Sequence, residues 1–307
     1  MRFATLAANS HNSQPWKFSV AEDRITIHAD FARRCPAVDP DDHHLFVSLG
    51  CATENLVHAA EFIGLKAEPV FTDDTIVIRL TATAPKQSPL FSAITQRQCT
   101  RASYDGKPVD NISLRLLERA CVEPGVSAIA ITDRMQMRNV GDYVEQGNSA
   151  QMRDKAFMTE LVDWMRFSKT DAAAKMDGLF TAASGNPALP SWLGRPLLRF
   201  FFTESGENKK YREHIASSAG IMVISSDADD RRHWVAAGRA CQRFALQATA
   251  LGLKYAFINQ PVEVPELRPQ FAAYLGLGAR RPDLVLRFGY GPSLPRSLRR
   301  PPEQVTI

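Results

Sequence analysis

The chain has 307 residues, 45% hydrophobic and 23% charged, an ordinary globular composition that excludes disordered and fibrous classes. Lys and Arg number 37 against 33 Asp and Glu, a formal net charge of +4, too small to imply a nucleic-acid partner although a local basic patch can still hold a phosphate. No apolar run reaches the roughly 18–20 residues that cross a bilayer, and mean hydropathy is −0.21, so no membrane association is expected. The first ten residues lack the apolar core of a secretory signal. Five scattered cysteines (Cys35, Cys51, Cys99, Cys121, Cys241) form no C-x-x-C pair, which predicts free thiols and a cytoplasmic protein.

In chain order, the first informative string is Ala8-Asn9-Ser10-His11-Asn12-Ser13-Gln14-Pro15-Trp16-Lys17-Phe18. It is a polar loop between a short helix and a strand around Ile25-Thr26-Ile27. The amides of Asn12 and Gln14 can both give and accept hydrogen bonds, as a heteroaromatic edge requires; equally, Asn, Ser and Pro are what a structural turn uses. His43 and His44 follow Asp41 and Asp42 at a helix start. Adjacent residues on a helix point apart, so a shared metal site is not expected. Leu45, Leu49, Ala52, Leu56, Ala59 and Ile63 recur at helical spacing and run into Gly64-Leu65, where glycine closes the helix.

Arg97-Gln98-Cys99-Thr100-Arg101-Ala102-Ser103-Tyr104 follows a predicted helix over 88–96. Two arginines four apart with a hydroxyl between them suit a phosphate or a solvated basic turn. Ile129-Ala130-Ile131 and Ile221-Met222-Val223-Ile224 read as buried strands, and 134–168 as one or two helices. Residues 169–210 carry seven Gly and Pro positions and read as an irregular, lid-like segment. The chain ends with Arg296, Arg299 and Arg300 ahead of Pro301-Pro302, an extended cationic tail. No G-x-G-x-x-G, P-loop, H-E-x-x-H or G-x-S-x-G string is present.

Residues 50–66 and 238–254 share Gly50/Gly238, Ala52/Ala240, Ala60/Ala248, Gly64/Gly252, Leu65/Leu253 and Lys66/Lys254 in one register. Each stretch leads to a β-rich run, Ile76–Leu80 and Leu284–Phe288. The expectation is an α+β chain of two related halves, 1–87 and 88–307, with central mixed or antiparallel sheets covered by helices.

Together these strings identify a resemblance. SHNSQPWKF resembles the S-S-x-N-x-Q-P-W-x-F loop of FMN-dependent nitroreductases, RQCTRASY is similar to that superfamily's arginine segment, and RSLRRPPEQVTI is similar to its basic C-terminal strand. The order most resembles the Acg-like branch, a single-chain fused dimer. The resemblance implies one FMN per chain, held between the halves in an intrachain pseudo-dimer. Asn9, Ser10, Asn12 and Gln14 would come from the first half; Arg97, Thr100, Arg101, Phe257, Ile258, Asn259, Gln260, Arg296, Arg299 and Arg300 from the second. It further implies an NAD(P)H oxidoreductase passing hydride through the flavin to a nitroaromatic, quinone or similar small-molecule acceptor, as a monomer or homodimer. The other reading is an FMN-sequestering protein with a lid and little turnover.

Overall fold

The computed structural model describes residues 1–190, 192–194, 196–197 and 202–307. The chain opens with strands β1 (Trp16–Val20) and β2 (Arg24–Ala29), helix α1 (His43–Phe62), and strands β3 (Leu65–Thr72) and β4 (Thr75–Ala82). Helices α2 (Pro89–Ile94) and α3 (Asn111–Ala120) lead to strand β5 (Val126–Ile131), then α4 (Arg134–Arg153) and α5 (Lys155–Trp164). After the short pair β6 (Met165–Arg166) and β7 (Leu179–Phe180), separated by α6 (Lys169–Lys175), come α7 (Glu204–Ala216), β8 (Gly220–Ser226), α8 (Arg231–Ala250) and β9 (Lys254–Phe257). Helices α9 (Gln260–Glu263) and α10 (Arg268–Tyr274) precede the last strand, β10 (Arg281–Gly289).

The architecture is α+β. Two four-stranded sheets, antiparallel throughout, run in the orders β1-β2-β4-β3 and β5-β8-β10-β9. In each, the strand that follows a long helix lies at one edge with its successor beside it. β8 and β10 are buried along their whole length, which is why they read as unbroken apolar runs. β3, with one face in water, alternates. β6 and β7 form a separate parallel pair.

α1 and α8 pack along their lengths between the two sheets. Their crossing is set by two glycines. A Cβ on Gly50 would lie 2.1 Å from the Val235 carbonyl oxygen, and one on Gly238 would lie 2.0 Å from that of Val47. The contacts are reciprocal, and only glycine lets the backbones approach so closely. One core runs from Trp16, Phe18 and Ile78 through Phe46 and Leu49 to Phe244, Tyr255 and Phe288, and a second lies beneath α4 and α9 around Val140, Ile221, Val223 and Phe271.

The segment 169–210 departs from the irregular course expected of it. Ser168 caps α6 by accepting from Asp171 N, residues 181–184 form a 3-10 turn, and α7 begins at Glu204 behind its Thr203 cap. Local caps in the sequence account for the order. Residues 191, 195 and 198–201 of that segment lie outside the described residues.

Candidate functional site

Three excursions of the backbone meet between the sheets. Residues 97–101 run beside the edge strand β9, where Thr100 N donates to Tyr255 O at 2.8 Å. The tail leaves the end of β10 and crosses to the other sheet, where Phe18 N donates to Val305 O (2.7 Å) and Ile307 N to Phe18 O (2.9 Å). Gln98 anchors the crossing, its side-chain amide donating to Leu294 O (2.7 Å) and accepting from Leu294 N (3.1 Å). The N-terminal loop 8–14 forms the third side.

They enclose a cleft with two compartments, about 240 Å³ and about 160 Å³, which share Ala8, Asn9, Arg101, Leu179 and Phe257 as lining. Together they fall in the size range of small-molecule sites. The larger is floored by α1 (His44, Val47, Ser48, Cys51) and walled by Phe157, Leu161 and Met165. Residues Thr181, Ser184 and Asn186 of the segment after β7 close its side. The smaller is cationic, lined by Arg97, Arg101, Arg296 and Arg299.

Among the described residues none of these four arginines has a carboxylate within ion-pair distance. Arg97 donates to Tyr255 Oη and to Leu6 O; Arg296 to Thr95 O and Gln96 O; Arg299 to Ala7 O at 3.4 Å. The Nε atoms of Arg97 and Arg299 are buried without a partner. Desolvation of its guanidinium, and then the Arg97 charge, pull the proton affinity of Arg299 down to about 9, still protonated at neutral pH. Uncompensated buried cations are costly, and an anion is what relieves them.

The loop carries strain. His11, Asn12 and Gln14 take positive φ values of 48°, 54° and 54°, conformations that persist only where neighbours over-determine them. They do so here. Asn9 Oδ1 accepts from Gln14 N (2.8 Å), Asn12 Nδ2 donates to Gly178 O and Leu298 O (3.0 Å each), and Gln14 Nε2 donates to Met176 O (2.9 Å). The Asn12 Oδ1 atom is left buried and unpartnered.

Of the residues anticipated for the cofactor, Asn9, Ser10, Arg101, Phe257, Ile258, Asn259 and Gln260 line the larger compartment, and Asn12, Arg97, Arg296 and Arg299 the smaller. Gln14, Thr100 and Arg300 do not line it. Gln14 is wholly buried, its Oε1 accepting from Arg300 N (2.8 Å) and its backbone carbonyl from Arg300 Nη2 (2.6 Å), so the two bind each other. Thr100 is wholly buried under β9, its carbonyl accepting from Tyr104 Oη (3.0 Å).

Other residues of the cleft were not among those anticipated for the cofactor. His11 lines the larger compartment, and burial with the nearby Arg101 charge lowers its pKa to about 4, so it is neutral. Glu263 accepts from Gln151 Nε2 (2.7 Å), and burial raises its pKa. His43 and His44 do not diverge as helical spacing suggested. Their rings meet at a centroid distance of 4.6 Å, because His43 Nε2 reaches Asp283 (2.9 Å), at a bulge of β10, while His44 leans toward Asp39. Asp39, His43 and His44 bring ligand atoms within 4.8 Å of one another. A metal is nevertheless disfavoured. Asn259 Oδ1 accepts from Val285 N (2.9 Å), so its Nδ2 faces His44 Nε2 (3.4 Å), which leaves the His44 proton on Nδ1, toward Asp39. The N-terminus of α1 also repels a cation.

No family model matches the chain. It is similar to a protein of Mycobacterium tuberculosis, in strains CDC 1551 and H37Rv, provisionally named an NAD(P)H nitroreductase: 26% identity over 323 aligned positions, covering 99% of this chain and 89% of the relative. Among solved structures, a nitroreductase with bound FMN from Bacteroides fragilis aligns over 72% of this chain and 99% of its own, with 14% identity and a TM-score of 0.44. An FMN-dependent nitroreductase from Mycobacterium smegmatis in complex with NADPH aligns over 66% and 87%, with 12% identity and a TM-score of 0.44. Superpositions this partial establish no relationship by themselves.

Proposed function

We propose that the chain is an FMN-binding oxidoreductase of the nitroreductase superfamily, made of two fused halves that share one flavin per chain. The observation that carries this reading is the cationic compartment, whose arginines have no carboxylate partner among the described residues and open onto a larger, mainly apolar chamber. The full-length similarity to relatives named as NAD(P)H nitroreductases supports it. The reciprocal Gly50 and Gly238 contacts and the matching strand orders support an internal duplication, of which an Acg-like fused dimer is one form.

The residues present fit FMN. Arg97, Arg296 and Arg299 would hold the phosphate, the two unpartnered Nε atoms supplying donors; charge-assisted bonds of this kind contribute about 1.5–3 kcal/mol each. Asn12 Oδ1 offers an acceptor in the smaller compartment, and the ring system would lie in the larger one against Val47 and Phe257. Bound there, FMN supplies two-electron exchange between NAD(P)H and a small-molecule acceptor such as a nitroaromatic or quinone. The chain's own part is to bind, orient and exclude water. Phe157, Leu161 and Leu179 keep the chamber apolar, and Arg101 sets a positive charge where the compartments meet.

The test is direct. Purified protein is expected to show flavin absorption bands, to release one FMN per chain on denaturation, and to bleach anaerobically on adding NADH or NADPH. Colourless protein that neither releases nor takes up FMN overturns the reading. Flavin reduced by dithionite but by neither nicotinamide would indicate sequestration instead.

A further inference from the structure

Arg287, on β10, is 1% exposed and touches the inner wall of the larger compartment. Among the described residues it has no carboxylate partner. Its Nη2 donates to Ala102 O (2.8 Å) and Thr100 O (3.3 Å), the two carbonyls that flank Arg101. Its Nη1 reaches His214 O and Ser218 Oγ at 3.4 Å, and the guanidinium lies 4.2 Å over the Tyr104 ring. Tyr104 braces the same turn, donating from Oη to Thr100 O (3.0 Å). Among the described residues the Arg101 side chain, by contrast, makes a single hydrogen bond, a 3.5 Å contact with Ser184 Oγ, while lining both compartments.

The geometry points to Arg287 as a positioning residue that acts through Arg101: it clamps the carbonyls on either side and so aims the Arg101 side chain at the junction where a flavin phosphate and ring system would meet. This inference rests on the FMN reading above. A planar fork can hold two carbonyls and stack on an aromatic face at once; an ammonium cannot do both, so lysine does not replace it. Burying a guanidinium without an anion is expensive, and no stability argument requires one beneath a turn that backbone bonds could close.

The test has two arms, on wild type, R287K, R101A and the double variant. Amide hydrogen exchange without added ligand reads the clamp: the bonded amides of Thr100 and Tyr104 are expected to exchange at least about tenfold faster in R287K, with α1 and α8 unaffected. Unchanged exchange overturns the inference whether or not flavin binds. FMN affinity, from quenching of flavin fluorescence, reads the coupling. R287K and R101A are each expected to weaken binding about tenfold or more, and the double variant no further than R101A alone. Losses that multiply in the double variant overturn the inference, because Arg287 would then act on the ligand or on stability independently of Arg101. Tyr104→Phe, which keeps the ring and removes one brace, is the milder variant should R287K not fold; its smaller loss should likewise vanish in the R101A background, and persistence there overturns the inference. Wild type that binds no FMN, with the exchange response intact, removes the functional reading and keeps the clamp.

Discussion

Asn12 divides its amide between two tasks. Its Nδ2 is spent on Gly178 and Leu298, which belong to segments 166 and 286 residues away, while Oδ1 is held buried and free. Asn tolerates the positive φ this requires better than most residues. The arginines of the smaller compartment show the complementary state, donors without an anion. Arg299→Met is therefore expected to lower FMN affinity roughly 10- to 100-fold, the equivalent of one charge-assisted bond. It should leave thermal stability of the flavin-free protein unchanged or raised, since an uncompensated charge is removed. Equilibrium titration and thermal melts check both; a flavin-free protein that melts much earlier would show that Arg299 holds the fold instead.

At the scale of elements, the α1–α8 contact carries the molecule. Glu54 on α1 is buried against Arg239 (3.0 Å) and Arg243 (2.9 Å) of α8, which Glu123 also bridges. Burial alone would raise the Glu54 pKa, but the His58 ring, 3.4 Å away, and the two arginines outweigh it and bring it down to about 2. For a carboxyl whose folded pKa is depressed, the stabilisation is full above its unfolded value, near 4.5, and fades as pH falls toward 2. It amounts to ~3 kcal/mol. Glu54→Gln should cost about that much at pH 7 by chemical denaturation, and the difference from wild type should shrink steadily between pH 4.5 and 2. A cost that does not change over that range would rule out the ionic origin. The helices themselves are legible in sequence, through their period, their small residues and their closing Gly64 and Gly252. Which glycines touch is not, since the repeat alone does not say that the two copies pack on each other.

For the whole molecule, the decisive feature is how the long segment after α5 is tied down. Asp177 binds Arg33 and Arg166, the latter at 2.6 and 3.0 Å, and both arginines lie over the Trp164 ring, at 5.4 and 5.9 Å. Arg33 also donates to Ser13 O. With Gln14 on Met176 and Asn12 on Gly178, this clasp fixes the stretch whose Leu179, Thr181 and Ser184 line the cleft. Burial opposes the charge on Asp177, but hydrogen bonds from Arg166 and Arg33 prevail and keep its pKa low. The clasp is therefore intact at neutral pH. Asp177→Asn should speed FMN release roughly tenfold, about 1.4 kcal/mol, as measured by dilution of the flavin-loaded protein; an unchanged release rate would mean the segment does not gate the cleft.

The resemblance carried by the polar strings implied that the N-terminal loop and the arginine segment face one another, and both line the smaller compartment. Composition, helical period and the apolar runs were enough to reach an α+β chain of helices over sheets. Those properties follow from local patterning, because burial imposes its period on each element separately. Tertiary structure alone decided that Gln14 grips Arg300 instead of facing the cleft, that Thr100 lies beneath β9, and that Arg287 and His44 line the larger compartment. Side chains on irregular backbone, and partners nearly two hundred residues apart, take their directions from chain crossings that no local pattern encodes.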